Sequence, residues 1–189
     1  MNNKQQNILA AALVLACVVL RITSQNTFIA NFTPVLAMGL FAGSIFTNKK
    51  IAIALPLITM LIGDLYLQYN YTTHHTQTPG FYGMSQLFNY AAFALVAFIG
   101  TRLKNKTAFN VLGYGVIGSL VFFSISNFGV WADTTFNLYP KTMDGLVNCF
   151  IAAIPFYKNS FVSDLFFSAI FFGGYVVWSA NKNPSTVKA

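Results

Sequence analysis

Long apolar runs alternate with short polar stretches along this chain, and the length of each run indicates what it is. A helix needs roughly 17 to 25 mostly apolar residues to cross a bilayer. The pattern predicts helices near Asn7–Thr23, Thr33–Thr47, Ile51–Gln68, Met84–Thr101, Thr107–Ser126 and Phe161–Ala180. The second of these is short. A further apolar run, Gly145–Tyr157, ends near Pro155 and has only about 13 residues, which fits a re-entrant or interfacial helix better than a span. The expected fold is an all-α integral membrane protein forming one domain over residues 1–189. It has six transmembrane helices, both termini cytoplasmic, and an extra short helix in the last outer loop.

Composition supports this picture. Of the residues 56% are hydrophobic and 8% charged, with a mean hydropathy of +0.59 and no Glu. A soluble domain carries about 25% charged residues. Charge placement then orients the spans. With the N-terminus inside, the inner side holds Lys4, Lys49, Lys50, Arg102, Lys104, Lys106, Lys182 and Lys188, and the outer side only Arg21, Lys141 and Lys158. That asymmetry follows the positive-inside rule. The net charge of +7 is therefore mostly topological. It forms no aromatic-interleaved patch for nucleic acid.

All four acids, Asp64, Asp133, Asp144 and Asp164, fall at or beyond the outer helix ends in this topology. Arg21, His74, His75, Trp131 and seven of the nine tyrosines join them there. Aromatic belts occur at both membrane interfaces, so the one-sided excess points to an outward-facing cavity lined by rings and a few polar groups. The stretch ending at Cys17, "LVLAC", fits a lipoprotein cleavage box poorly, because the apolar run continues through Val18, Val19 and Leu20. Two cysteines, Cys17 and Cys149, define neither a disulfide framework nor a metal site.

Within that outer region several residues are candidates for ligand contact. Asp64 and Asp164 sit on apolar helices, where an ionisable group faces a cavity or a partner by default. Asp164 reads as lying at the start of helix six, where it could instead complement the helix dipole, with Ser160 as the cap. Asp64 lies toward a helix C-terminus, where a negative charge is unfavourable, and Arg21 at the same depth is its expected ion-pair partner. Thr33 and Pro34 read as the N-cap and first turn of helix two. Asn31 and Phe32 just before them are echoed by Asn127 and Phe128 near the end of helix five. Trp131 either stacks on a ligand or marks the interface. Small residues at Ala12 and Ala16, Gly39 and Gly43, and Gly113, Gly115 and Gly118 permit close helix approach, within the chain or to another subunit.

The stretches "NFTP" (Asn31–Pro34), "GDL" (Gly63–Leu65), "NFGVW" (Asn127–Trp131), "IAAIP" (Ile151–Pro155) and "DLFF" (Asp164–Phe167) carry a resemblance to a bacterial family of small six-span membrane proteins of uncharacterised function. More distantly the chain resembles the substrate-capture (S) subunits of energy-coupling-factor vitamin transporters. That resemblance implies a protein of the bacterial cytoplasmic membrane that takes up a small molecule, a vitamin or a precursor. It also implies docking to a transmembrane coupling subunit with ATPases through an alanine-spaced face, matched here by Ala12 and Ala16. No ATP-binding loop occurs in this chain, and no resident cofactor or metal is expected.

In such an architecture "TTHHTQTPG" would be a lid over the pocket, with Pro79 and Gly80 as its turn. His74 or His75 could then ligate the cobalt of a corrinoid. The expected protein is not an enzyme. The rival readings are an assembly protein without a small ligand and an intramembrane aspartyl protease built on Asp64 and Asp164. Neither acid lies in a GxGD sequence.

Overall fold

A computed structural model describes residues 1–24, 32–76 and 79–182. Six α-helices account for most of them: α1 (Asn3–Ser24), α2 (Val35–Ile45), α3 (Lys49–His74), α4 (Ser85–Gly100), α5 (Ala108–Ala132) and α6 (Met143–Lys182). Four of these, α1, α3, α5 and α6, are long and apolar enough to cross a membrane, while α2 and α4 are shorter apolar helices. The protein is therefore a helical membrane protein.

Helix starts follow local capping chemistry. Asn2 and Gln5 exchange hydrogen bonds at the start of α1, Asn2 Oδ1 accepting from Gln5 N at 2.9 Å and Gln5 Oε1 from Asn2 N at 3.2 Å. Asn48 Oδ1 accepts from Lys50 N at 3.0 Å to open α3, and Thr107 Oγ1 accepts from Asn110 N at 3.3 Å to open α5. At α2 the structure departs from the expected cap. Pro34, not Thr33, holds the N-cap position and supplies no side-chain bond.

The helices run alternately up and down. Gln6 on α1 bonds Thr47 just past α2, and Tyr114 on α5 donates to the Arg102 carbonyl just past α4, so these ends share the lower side. At the upper side Asp133, just past α5, accepts from Ser85 N at the start of α4. The basic residues Lys4, Lys49, Lys50, Arg102, Lys104 and Lys106 belong to the lower end and all four acids to the upper half.

α2 sits in the middle, packed against all five other helices. Residues Val35 to Gly43 are all buried, which is why an 11-residue helix is stable here. Its ends are covered by protein and need not match the bilayer. Lys49 Nζ donates to the Gly43 and Phe46 carbonyls at 3.0 and 2.8 Å, closing the C-terminal end of α2. The α2–α4 seam depends on glycine. A Cβ on Gly43 would collide with the Ala97 carbonyl oxygen, and one on Gly100 would collide with that of Leu40.

The largest correction concerns the last third of the chain. Gly145–Tyr157 is no separate re-entrant or interfacial helix. It forms part of the first half of α6, which runs unbroken for 40 residues through Pro155. The helix opens at Thr142, whose Oγ1 accepts from Gly145 N at 3.1 Å, with Asp144 in the first turn. Pro155 removes only the N–H that would reach the Ile151 carbonyl, a loss that helices in membranes absorb. Two expectations fall with the same finding. Asp164 does not begin a helix but lies mid-way along α6, and Ser160 does not cap one, because its hydroxyl bonds the Phe156 carbonyl at 3.3 Å. α3 is also longer than expected. It continues through Thr72, Thr73 and His74, so only part of "TTHHTQTPG" is a loop.

Candidate functional site

Between the upper halves of the helices lies a cavity of about 370 Å³. α5 supplies Ser119, Phe122, Phe123, Ser126 and Asn127, and α6 supplies Phe156, Tyr157, Ser160 and Asp164. Arg21, Tyr82, Asn89 and Phe93 close the other side. The antiparallel packing of α5 on α6 builds the long wall. Phe123 packs against Tyr157 in a tilted pair with ring centres 4.6 Å apart, and Cys149 Sγ donates to the Asn127 carbonyl at 3.4 Å. Phe93 and Phe122 pair at 4.6 Å across α4 and α5. Beside the cavity, the Ser163 hydroxyl donates to the carbonyl of the lining residue Thr33 at 2.9 Å and ties α6 to the approach of α2.

Asp164 is the acid of this cavity. It is 4% exposed and shares a hydrogen bond with Ser119, itself 2% exposed. Among the described residues no cation lies within ion-pair distance of it. Elsewhere on the cavity wall, Asn89 Nδ2 donates to the Tyr82 hydroxyl at 2.9 Å, while its buried Oδ1 accepts nothing among the described residues. Burial pushes the Tyr82 phenol up, so that ring stays neutral.

Asp64 lies behind the cavity wall. Its side chain is fully buried, and Oδ1 meets Arg21 Nη2 at 2.5 Å, the ion pair expected from the two residues' matching depth. Oδ2 accepts from Gln86 Nε2 at 2.7 Å and from the Tyr90 hydroxyl at 2.8 Å. The guanidinium crosses Gly63, where a Cβ would come within 2.5 Å of Arg21 Nε. Asp64 and Asp164 thus have separate partners and share none of these bonds.

The remaining candidates scatter. Asn127 lines the same cavity as Asp164, about two turns along α5 from Ser119. Asn31 lies outside the described residues. His74 closes α3 with its ring 6.2 Å from that of Tyr69, and His75 follows in the left-handed conformation at φ 52°. Both imidazoles are exposed and neither lines the cavity. Trp131 is also elsewhere. Its Nε1 donates to the Pro140 carbonyl at 2.9 Å, and Lys141 Nζ reaches back to the carbonyls of Trp131 and Asp133, so the tryptophan pins the α5–α6 connection.

That connection also carries Asp133, whose Oδ2 accepts from Ser85 N at 3.0 Å and whose Oδ1 accepts from Thr135 N at 2.6 Å. These N–H groups, Ser85's first, hold the Asp133 carboxyl down at about 2. Ala12 and Ala16 face outward from α1. Ala12 borders an apolar groove between α1 and α6 that includes Leu13, Phe171, Tyr175 and Trp178.

Reading the sequence alone missed Gln86, Tyr90, Asn89 and Ser119. Gln86 and Tyr90 are one turn apart on an otherwise apolar helix, a spacing that places them on one face and that could have flagged a buried polar partner for Asp64. Among the described residues no group of three His, Cys, Asp or Glu could hold a metal ion.

A model of DUF6580, a family of unknown function, matches residues 1–186. No curated protein and no solved structure matches the chain.

Proposed function

We propose that this chain, which belongs to DUF6580, a family of unknown function, is a membrane-embedded binding protein that captures a small solute for uptake. The observation that carries the reading is the cavity of about 370 Å³ with a buried acid, amides, hydroxyls and six aromatic rings on its walls. Clefts of roughly 300 to 1,000 Å³ with an apolar lining and a few aimed polar groups are the usual form of small-molecule sites. A structural helix bundle has no comparable reason to leave a buried carboxyl without a cation.

The lysines at the lower end orient that end toward the cytoplasm. The cavity then opens to the outside of a bacterial cytoplasmic membrane, and six alternating helices place both termini inside. The apolar groove beside Ala12 is the face offered to a coupling subunit. The cavity suits a vitamin-sized solute and not a corrinoid, whose macrocycle and appended nucleotide exceed it. The two exposed histidines are left without a part in capture. Arg21, Gln86 and Tyr90 occupy the oxygens of Asp64, so it is unsuited to share a proton with Asp164 as a protease dyad must.

The test is a thermal-unfolding screen of the detergent-purified protein against water-soluble vitamins and their precursors, since a solute that binds the folded state raises its stability. Capture predicts a shift that Asn127→Ala or Phe123→Ala removes and His74→Ala leaves intact. Silence across the whole panel would favour an assembly protein without a small ligand.

A further inference from the structure

We propose that the captured solute is an organic cation: an amine on a compact aromatic or aliphatic body, with its ammonium held by Asp164. This rests on the capture reading and specifies its ligand. Two charged side chains line the cavity, Arg21 and Asp164. Arg21 is already cancelled by Asp64 at 2.5 Å. Among the described residues Asp164 has no cation partner, and it shares a hydrogen bond with the neutral hydroxyl of Ser119. The site therefore presents one uncompensated acid, enclosed by protein.

The second acceptor points the same way. Asn89 Nδ2 donates to Tyr82, while among the described residues its buried Oδ1 receives no donor. An unsatisfied buried acceptor costs free energy unless a ligand donates to it. An ammonium brings three N–H groups and a full charge to the Asp164 carboxyl, and Asn89, higher in the same cavity, accepts from a separate donor group of the solute. Phe122, Phe123 and Tyr157 then supply ring faces on which a cation is favoured over a neutral molecule of the same shape. A carboxylate solute would find no spare cation among the described lining residues, because Arg21 is already paired with Asp64.

Three probes of one shape separate these outcomes. Tryptamine is a cation at neutral pH, tryptophol is its uncharged counterpart and indole-3-propionate is an anion. Each would be titrated into the full chain in lipid nanodiscs, with heat of binding and thermal unfolding as readouts. Tryptamine is expected to bind at least about tenfold more tightly than tryptophol, and indole-3-propionate not to bind. Asp164→Asn should erase the preference for tryptamine, whereas Asp144→Asn, at an exposed acid in the first turn of α6, should leave it unchanged.

If tryptophol or indole-3-propionate binds as well as tryptamine and Phe123→Ala weakens it, the cation assignment is wrong and the capture reading survives. If none of the three binds, the cation assignment also falls, and the vitamin screen decides separately whether capture falls with it. Should Asp164→Asn fail to fold, the preference order of the unmodified chain still decides between cation and neutral solute.

Discussion

Three acids are buried in this bundle, and the chain treats the two that sit within its helices, Asp64 and Asp164, in opposite ways. Asp64 is surrounded by donors: a guanidinium, an amide and a phenol take its two oxygens. Asp164 has a serine and an open space. Both sit on helices in a setting where an unpaired charge is costly. The first arrangement has the form of a structural joint, in which α1, α3 and α4 are fastened through one carboxylate. The second leaves part of its interaction capacity for something that is not in the chain. Burial of an acid in a membrane helix therefore says little by itself, and the completeness of its partner set separates structure from binding.

The largest expected effect would break the Asp64 side of this comparison. Asp64→Ala leaves Arg21 buried without its counter-charge and should cost about 3 to 5 kcal/mol, read as a loss of folded yield and of unfolding midpoint in detergent. The double change Arg21→Met with Asp64→Leu should cost less than either single change, because no charge is then left alone. By contrast Asp164→Asn should change stability by no more than about 1 kcal/mol. A result in which Asp164→Asn is the more damaging would reverse the assignment of structural and binding roles.

A smaller effect belongs to the third acid with a defined partner set. Asp133 caps α4 from the far end of α5, and Asp133→Ala should cost about 1 kcal/mol, as loss of a helix cap does. Its carboxyl is held at about 2 in the folded chain, against about 3.9 when unfolded. The stabilisation is thus complete above about pH 4 and is lost as the pH falls toward about 2. Unfolding midpoints of the unmodified chain and of Asp133→Asn, followed downward from neutral pH, should converge across that window.

The smallest effects concern the histidines. His74→Ala should change stability by less than about 0.5 kcal/mol and leave solute binding as it was. His75 occupies a left-handed position at φ 52°, and His75→Gly should raise stability by a few tenths of a kcal/mol, up to about 1, since glycine adopts that backbone without a steric penalty. A loss of binding in either variant would bring the α3–α4 connection back into the site.

The order of the six helices was legible because apolar runs and basic turns are enough to count them. The Arg21–Asp64 pair was legible too: each is the only charged residue of its apolar run, Asn7–Thr23 and Ile51–Gln68. The α6 boundary was not, because Pro155 reads as a stop. The competing start signal, Thr142 with Asp144 just inside, is short and lies in a polar stretch that resembles a loop. Misplacing that boundary put Asp164 at a helix end, where a dipole would have explained it, instead of mid-helix, where only a partner or a cavity can. Trp131 and the histidines drew attention through rarity, and rarity carries no geometric information. Serines and amides on apolar helices, the residues that complete the cavity, are common enough in such helices to pass unnoticed.

One further consequence comes from the length of α6. At 40 residues it extends about 60 Å, about twice the roughly 30 Å of a bilayer's hydrocarbon core. Exposed apolar side chains continue along it from Met143 through Val147, Ile151 and Val162 to Val177. Such a rod cannot stand upright with its greasy surface covered, so tilt or a bend must absorb the mismatch. Its natural flexure is Pro155, and the cavity-lining residues of α6 lie on both sides of that proline, from Ala153 to Asp164. Whatever tilt or bend α6 adopts to fit the bilayer therefore acts directly on one wall of the chamber.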